Sequence, residues 1–317
     1  MQIVLDIGVD VAKDTVVVAC ARQSFAAHTL RNARTELRAW LKSLPAGTRI
    51  GLEATGGYHD LLATMAQKQG FTVYLLNPKD VRHYARALGT RGKTDRVDAQ
   101  VIARYVAHEH ARLHPYLPMN PAQRSIDRLL KRRAKLVVLK GALRQSLRDA
   151  PELREDLKTM SKHFDTLVTK IDRALLALTR AIPQRENRQQ YVQSIVGVGP
   201  LVGSCLANTL ERVPFKHSDA FIAFTGLDPR ADDSGNHHGK RKLSKRGPSQ
   251  MRRLLFNAAM SASKTAVWKP LYQRYRDRGW SSTAALVIIA RKIARIAFVL
   301  WHTQTPFNPS RLAKGLT

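Results

Sequence analysis

The chain is predicted to be an α/β domain followed by helices to its end. Three observations predict this. Strand-like apolar runs alternate with amphipathic stretches, but only as far as about residue 107. Pro115, Pro118 and Pro121 then punctuate the chain. Beyond them apolar residues recur at three- and four-residue steps, the spacing of helices packed along a seam. The expected organisation is an α/β catalytic domain over residues 1–115, a helical coiled-coil arm over 120–185 and a mainly helical domain over 186–317.

The elements follow in order. Residues 3–9 and 15–21 read as strands joined by Asp10-Val11-Ala12-Lys13-Asp14, and 24–30 is a weaker third strand. Thr35 is placed to cap a helix that carries Trp40 and Leu41. Residues 49–53 form a strand and 58–68 a helix closed by Gly70. Residues 71–76 form a strand stopped by Asn77-Pro78. Helices follow near 80–88 and 94–107. Three early strands and then alternating helix and strand is the order of an RNase-H-like domain, whose first strand is central and flanked by an antiparallel meander. In the arm, Leu157, Met160, Phe164, Leu167, Ile171, Leu175, Leu178 and Ile182 mark a seam, with Leu129, Leu136 and Leu143 heptad-spaced before Pro151. An antiparallel hairpin, a dimerising arm and a packed helix pair within one domain all fit that pattern.

Composition narrows the partner. Lys and Arg number 53 against 24 Asp and Glu, a formal charge of +29. Such a field attracts polyanions and points to nucleic acid. A membrane-spanning role is not expected, since the longest apolar stretch, 284–301, is broken by Arg291, Lys292 and Arg295. Asp6 and Asp10 interrupt the apolar start, so no secretory signal is expected there. Cys20 and Cys205 lie far apart with no CxxC spacing, which argues against structural zinc and for a reducing cytoplasm. At 317 residues and 44% hydrophobic, the chain can bury two cores.

Against this basic background four carboxylates stand out. Asp10 ends the first apolar run, Glu53 ends another, and Asp95 and Asp98 stand three apart at a helix start. Strand alternation puts Asp6 and Asp10 on one face with Gly8 between them, and the i, i+3 spacing puts Asp95 and Asp98 on one helical face. Convergent carboxylates of this kind hold Mg²⁺ or Mn²⁺ at a phosphodiester. Singly, Asp95 could cap its helix, Asp98 could pair with Arg91 or Arg96, and Glu53 could be a solvated strand end. Together they read as a metal-dependent catalytic site.

The helical part carries two further motifs. Gly197-Val198-Gly199-Pro200 lies between two helices, in the manner of a helix-hairpin-helix that offers backbone N–H groups to phosphate. Gly197 and Gly199 are its nucleic-acid candidates, with an ordinary interhelical turn as the plain alternative. Lys240, Arg241, Lys242, Lys245 and Arg246 crowd a seven-residue stretch before a helix start at Gly247-Pro248-Ser249, itself a place for an anion. From that loop alone, Ser244 is a phosphate-contacting hydroxyl. His237-His238 read as an exposed phosphate-facing loop rather than a metal pair. Trp268, Tyr272, Tyr275 and Trp280 could stack bases, although their helical spacing favours the core.

Asp10 within Gly8-Val9-Asp10-Val11-Ala12-Lys13, Glu53 within Glu53-Ala54-Thr55-Gly56-Gly57-Tyr58, and Lys93-Thr94-Asp95-Arg96-Val97-Asp98-Ala99 resemble the Asp-Glu-Asp-Asp signature of one transposase family. It is the insertion-sequence family numbered one hundred and ten, relatives of the Piv invertase, whose first domain is similar to the RuvC junction resolvase. The likeness covers essentially the whole chain in the family's motif order. It implies that Ser244, in a Ser-Lys-x-Gly stretch, attacks the scissile phosphate and holds the strand covalently. It further implies donor and target DNA as partners, a structured non-coding RNA from the element that pairs with both, a homodimer or tetramer, and a bacterial, nucleoid-associated setting. Asp10 takes the family role on the first strand, which leaves Asp6 as an auxiliary acid. The competing reading is an RNase-H-like junction-resolving nuclease that uses metal-activated water and no covalent step. A non-catalytic nucleoid binder would leave the four acids without a role.

Overall fold

The computed structural model describes residues 4–22, 26–54, 57–90, 92, 94–231, 233–234, 237–239 and 241–314. They form two compact units, Met1–Pro118 and Met119–Thr317.

The first unit is built on a five-stranded mixed sheet ordered β3-β2-β1-β4-β5. Its strands are β1 (Asp6–Val11), β2 (Thr15–Cys20), β3 (His28–Arg31), β4 (Arg49–Glu53) and β5 (Thr72–Leu76). The first three pair antiparallel, while β1–β4 and β4–β5 are parallel. Its helices are α1 (Arg34–Ser43), α2 (Asp60–Lys68), α3 (Pro78–Ala87) and α4 (Asp95–Glu109). Alternation along β1 divides the two faces. Ile7, Val9 and Val11 are buried with Leu37, Leu41 and Leu62 of α1 and α2. Gly8, two residues from both Asp6 and Asp10, faces α4 instead.

The register sets Gly8 beside Gly51, and this pair lets α4 lie directly on the sheet. A Cβ at residue 8 would sit 2.1 Å from the Ala99 carbonyl oxygen and 2.2 Å from the Ala103 nitrogen. Ala99 is buried with Val17 and Ala19 of β2, and Gln100 Nε2 donates to the Cys20 carbonyl at 3.0 Å. The start of α4, with its two acids, is thereby tied to the β1–β2 side of the sheet.

Several boundaries differ from the sequence expectation. The first strand runs on through Asp10 to Val11, because β2 pairs with it as far as Val11–Val16. Thr35 is not a cap. Ala33 holds that position without a side-chain bond, and Glu36 Oε2 instead accepts from the Arg31 N–H at 2.8 Å. The third strand is the short His28–Arg31. Asn77-Pro78 both stops β5 and starts α3, with the Asn77 side chain accepting from the Lys79 N–H at 3.0 Å and Pro78 in the first turn. Thr94 caps α4 by accepting from the Val97 N–H at 3.3 Å, so Asp95 is not needed as the cap.

The second unit opens with α5 (Pro121–Ser146), started by a reciprocal capping box between Asn120 and Gln123, and α6 (Arg154–Arg180). Arg133 donates to both carboxylate oxygens of Asp172 through Nε and Nη2 at 2.6 and 3.0 Å, and Lys140 bonds Asp165 at 2.6 Å. One partner number rises by seven as the other falls by seven, so the helices form an antiparallel hairpin. Ile126, Leu130 and Leu175 enter the core of the unit, whereas Val138, Met160 and Leu167 of the hairpin stay exposed. The helix α6 stops at Arg180, and Pro183 stands in the first turn of α7 (Pro183–Gln193).

The remaining elements are α8 (Pro200–Arg212), α9 (Ser218–Thr225), the short strands β6 (Pro229–Arg230), β7 (Asp233–Ser234), β8 (His237–His238) and β9 (Lys242–Leu243), then α10 (Ser249–Ala262), α11 (Lys269–Asp277), α12 (Ser282–Thr303) and α13 (Pro309–Lys314). Leu286, Ile289, Ile293 and Leu300 of α12 are buried in this core, as their spacing predicts. Trp268 is fully buried and stacks on Phe307 with centroids 6.2 Å apart, which makes it a core residue. Trp280 is half exposed and meets Tyr275 edge-on. No helix among the described residues is long and apolar enough to cross a membrane.

Candidate functional site

The carboxylates of the first unit share one side of the sheet. Val9 pairs with Leu52, and the parallel register carries Asp10 to the position beside Glu53. Glu53 is two residues past Gly51 and Asp10 two past Gly8, so both follow the glycines that α4 covers. Both are half-buried, as is Asp98, while Asp95 is exposed. Asp95 and Asp98 occupy the first turn of α4, where the helix dipole favours negative charge. Ala99, the residue after Asp98, lies on Gly8.

The donor chemistry fits a hard divalent cation, since all four side chains offer carboxylate oxygens. Among the described residues, however, no three His, Cys, Asp or Glu side chains are gathered closely enough to hold a metal ion. The structure therefore brings Asp10 and Glu53 to adjacent strand positions and sets the helix acids at the start of the covering helix, without closing them into one ligand set.

Asp6 has a separate task. It stands opposite Arg49 in the register and accepts from that guanidinium at 2.6 and 2.9 Å, with both side chains mostly buried. Four residues of strand separate it from Asp10, roughly 13 Å at the rise of an extended chain.

Sequence reasoning missed Asn32. Its Nδ2 donates to the carbonyls of Ala12 at 3.0 Å, Lys13 at 3.4 Å and Tyr58 at 3.3 Å. It therefore links the turn after Asp10 to the turn after Glu53, where Gly57 adopts φ +100°. Thr55 and Gly56 lie outside the described residues. No local signal marks Asn32, because the contacts that define its role are 19 to 26 residues away in sequence.

In the second unit, β6 and β9 pair antiparallel through Pro229–Leu243 and Arg230–Lys242. The next pair along the ladder is Asp228 and Ser244. The Ser244 N–H donates to the Asp228 carbonyl at 2.9 Å, and the Ser244 hydroxyl donates to the Asp228 carboxylate. Both residues are half-buried. Immediately after, Lys245 takes the left-handed conformation at φ 51°, and its N–H donates to the Gly226 carbonyl at 3.1 Å. The turn is also pressed against α9, since a Cβ at Gly226 would meet the Gly247 nitrogen at 2.7 Å. Arg252 donates to the carbonyls of Thr225, at 3.2 Å, and Gly247, and burial lowers the pKa of its guanidinium. Sequence reasoning gave Asp228 no role, because its pairing with Ser244 requires the strand register.

The cations around this turn differ in their surroundings. Lys242, Lys245 and Arg246 are exposed, and Arg241 bonds Asp233 at 2.7 Å. Lys240 lies outside the described residues. His237 and His238 pair as a strand with Asp233 and Ser234. On α12 the half-buried Arg291 has its pKa lowered by burial and by neighbouring Arg295, with the carboxylates of Asp228 and Asp219 opposing that shift. Arg295 itself pairs with Asp219.

Gly197 and Gly199 lie in the turn between α7 and α8. Gly197 adopts φ +98°, and a Cβ there would meet the Ala262 Cβ at 2.6 Å, so close packing against α10 accounts for that glycine. Gly199 is exposed at the N-cap of α8, with open space where a Cβ would stand.

Comparison with known proteins matches two stretches of the chain. Residues 7–150 match a family model described as transposase and named for the Asp-Glu-Asp-Asp domain of IS110 elements. Residues 189–275 match one described as transposase IS116/IS110/IS902 family. The chain is 26% identical over 316 residues to the pilin gene-inverting protein of Moraxella bovis, covering 95% of this chain and 97% of that protein. It is 28% identical over 344 residues to the transposase for insertion sequence element IS1111A of Coxiella burnetii, covering 95% and 91%. It is 25% identical over 346 residues to a probable family 20 transposase of Pseudomonas aeruginosa, covering 96% and 98%.

Proposed function

The chain belongs to the IS110 family of transposases, and from this premise we propose that it cuts and rejoins DNA through a covalent phosphoserine formed at Ser244. It is a DNA recombinase of the transposase class. The observation that carries the serine reading is the hydroxyl itself. It is held by a carboxylate at the end of a strand ladder, in a turn with exposed cations on both sides and a helix N-terminus three residues beyond the adjacent lysine and arginine. Serine attack needs its proton removed and the charge on phosphorus balanced.

The family suggests dependence on a divalent metal. Asp10, Glu53, Asp95 and Asp98 would hold Mg²⁺ or Mn²⁺, which when bound supplies Lewis-acid stabilisation of charge on a phosphate. Asn32 steadies the turns that follow Asp10 and Glu53, and α4 carries the other two acids. The central β1 flanked by an antiparallel meander supports a RuvC-like reading of the sheet. We assign residues 1–115 as that catalytic domain, 120–185 as the arm and 186–317 as the serine domain.

Lys240, Arg241, Lys242, Lys245 and Arg246 would meet phosphates of donor and target DNA, and the exposed α8 N-terminus at Gly199 another, in the manner of a helix-hairpin-helix. A structured RNA pairing with both DNAs would leave sequence choice to base pairing and backbone contacts to the protein. The exposed Val138, Met160 and Leu167 of the hairpin support assembly of two or four copies.

The test is a cleavage reaction with labelled DNA, denatured and resolved. Wild type should retain label on the protein, and Ser244→Ala should bind DNA normally yet retain none. No adduct in wild type, or an adduct in Ser244→Ala, defeats the serine mechanism. A metal-activated-water nuclease would then be the better account.

A further inference from the structure

The four acids of the first unit do not exhaust the carboxylates set at reacting positions. Asp228 stands opposite Ser244 in the ladder, beside the exposed Lys242, Lys245 and Arg246, where a negative charge works against phosphate binding. Its structural contribution is already made by its backbone, because the ladder closes with the Ser244 N–H on the Asp228 carbonyl at 2.9 Å. The side chain does something more, accepting the Ser244 hydroxyl proton in a hydrogen bond.

That hydrogen bond does not hang on one free rotamer. Asp228 and Ser244 extend the antiparallel register of Pro229–Leu243 and Arg230–Lys242. Directly opposed residues in such a ladder have Cβ atoms about 5 Å apart, within reach for a short acid and a hydroxyl. On the far side of the serine the chain is pinned by the left-handed Lys245, bonded to Gly226, and by Arg252, bonded to Gly247. On the far side of the acid, Leu227 is buried and its N–H donates to Thr225 Oγ1 at 3.2 Å. A serine oriented by a fixed carboxylate is the arrangement of an activated nucleophile.

We propose that Asp228 is the general base for Ser244, an inference that rests on the reading of Ser244 as the nucleophile. The Ser244 Oγ–P bond forms as the bond from phosphorus to a deoxyribose oxygen breaks. The hydroxyl proton passes to the Asp228 carboxylate, and the departing oxygen takes a proton from water. In the rejoining step a deoxyribose hydroxyl attacks phosphorus, loses its proton to solvent, and the Oγ–P bond breaks. The protonated Asp228 then returns its proton to Oγ.

Asp228→Asn separates this role from a structural one. The amide oxygen can still accept the hydroxyl hydrogen bond and the ladder is unchanged, but the proton can no longer be taken. Adduct formation at pH 7 should fall by about 100-fold or more, the usual contribution of a positioned base. DNA affinity should be kept or slightly raised, and the melting temperature should be unchanged. The adduct rate of the variant should rise about tenfold per pH unit as hydroxide replaces the lost base, whereas wild type should stay flat through neutral pH. Asp228→Ser, a smaller replacement, carries the same expectation. A wild-type adduct rate in either variant, or parallel pH profiles, overturns the assignment while leaving Ser244 in place, provided Ser244→Ala forms no adduct. Absence of an adduct in wild type overturns both.

Discussion

Gly8→Ala is the sharpest probe of how the fold positions the acids. A Cβ at residue 8 would stand 2.1 Å from the Ala99 carbonyl oxygen and 2.2 Å from the Ala103 nitrogen, both backbone atoms of α4. No rotamer change relieves either overlap. Restoring ordinary contact near 3.4 Å moves α4 outward by about 1.3 Å, and overpacking of this kind costs about 1–3 kcal/mol. For a unit of this size that lowers the melting temperature by roughly 3–12 °C. The same movement carries Asp95 and Asp98 away from Asp10 and Glu53. A misplacement of about 1 Å costs on the order of 100-fold in rate. Gly51→Ala is the matched comparison, because its Cβ would meet side-chain methyls rather than helix backbone: Val106 Cγ2 at 2.4 Å, Ile102 Cγ2 at 3.0 Å and Leu76 Cδ1 at 3.6 Å. Thermal melting and a strand-exchange assay on the full chain, for both variants, give the comparison. Gly8→Ala should lose more stability and more activity than Gly51→Ala, with DNA affinity retained in both. If Gly8→Ala is as stable and active as wild type, or Gly51→Ala is the worse variant, then close packing of α4 does not set the acids.

Three further outcomes follow from the same residues. Asp10→Ala, Glu53→Ala, Asp95→Ala and Asp98→Ala should each abolish strand exchange in a folded protein, and EDTA should do the same to wild type; Asp6→Ala should instead lower the melting temperature by removing the Arg49 pair while sparing the chemistry. Replacing Lys240, Arg241, Lys242, Lys245 and Arg246 together should flatten the slope of log affinity against log salt by up to about 4, a little under one unit for each cation on a phosphate; an unchanged slope would place the contacts elsewhere, as on the basic helix around Arg132. Burial pushes the Cys205 thiol up to about 12, so it stays protonated in the native state while an unfolded thiol ionises near pH 9; its contribution to stability is complete below that pH and is lost between about pH 9 and 12. Native protein at pH 8 should therefore leave Cys205 unlabelled by a thiol reagent until denaturant is added.

The elements of the chain were largely legible in its local patterns. The five strands of the first unit could be read from β-rich runs and their turns, and α12 from the helical spacing of Leu286, Ile289, Ile293 and Leu300, because period and burial are coupled along a single segment. Where caps compete, local reading failed. Thr35 looks like a helix start, yet the helix begins at Arg34, and Asn77-Pro78 looks like a stop but also starts a helix. The seam of α6 is equally ambiguous, since its period does not say whether a second helix, a second chain or solvent covers Met160 and Leu167.

The candidate residues divide in the same way. Asp10, Glu53, Asp95, Asp98 and Ser244 stand in short motifs that can be picked out one by one. Their relations cannot, because register and close approach join residues far apart in the chain. Gly8 beside Gly51, Asn32 on the carbonyls of Ala12 and Tyr58, Asp6 on Arg49, and Asp228 opposite Ser244 are separated by 16 to 43 residues where bonded. Alternation along a strand says which face a side chain takes, but only pairing says what lies next to it. The amino-acid order thus specified the kinds of chemistry present, carboxylates in a basic chain and a serine among cations. Which acid serves which partner was decided by packing, since hydrogen bonds act over a few ångströms in space and are indifferent to distance along the chain.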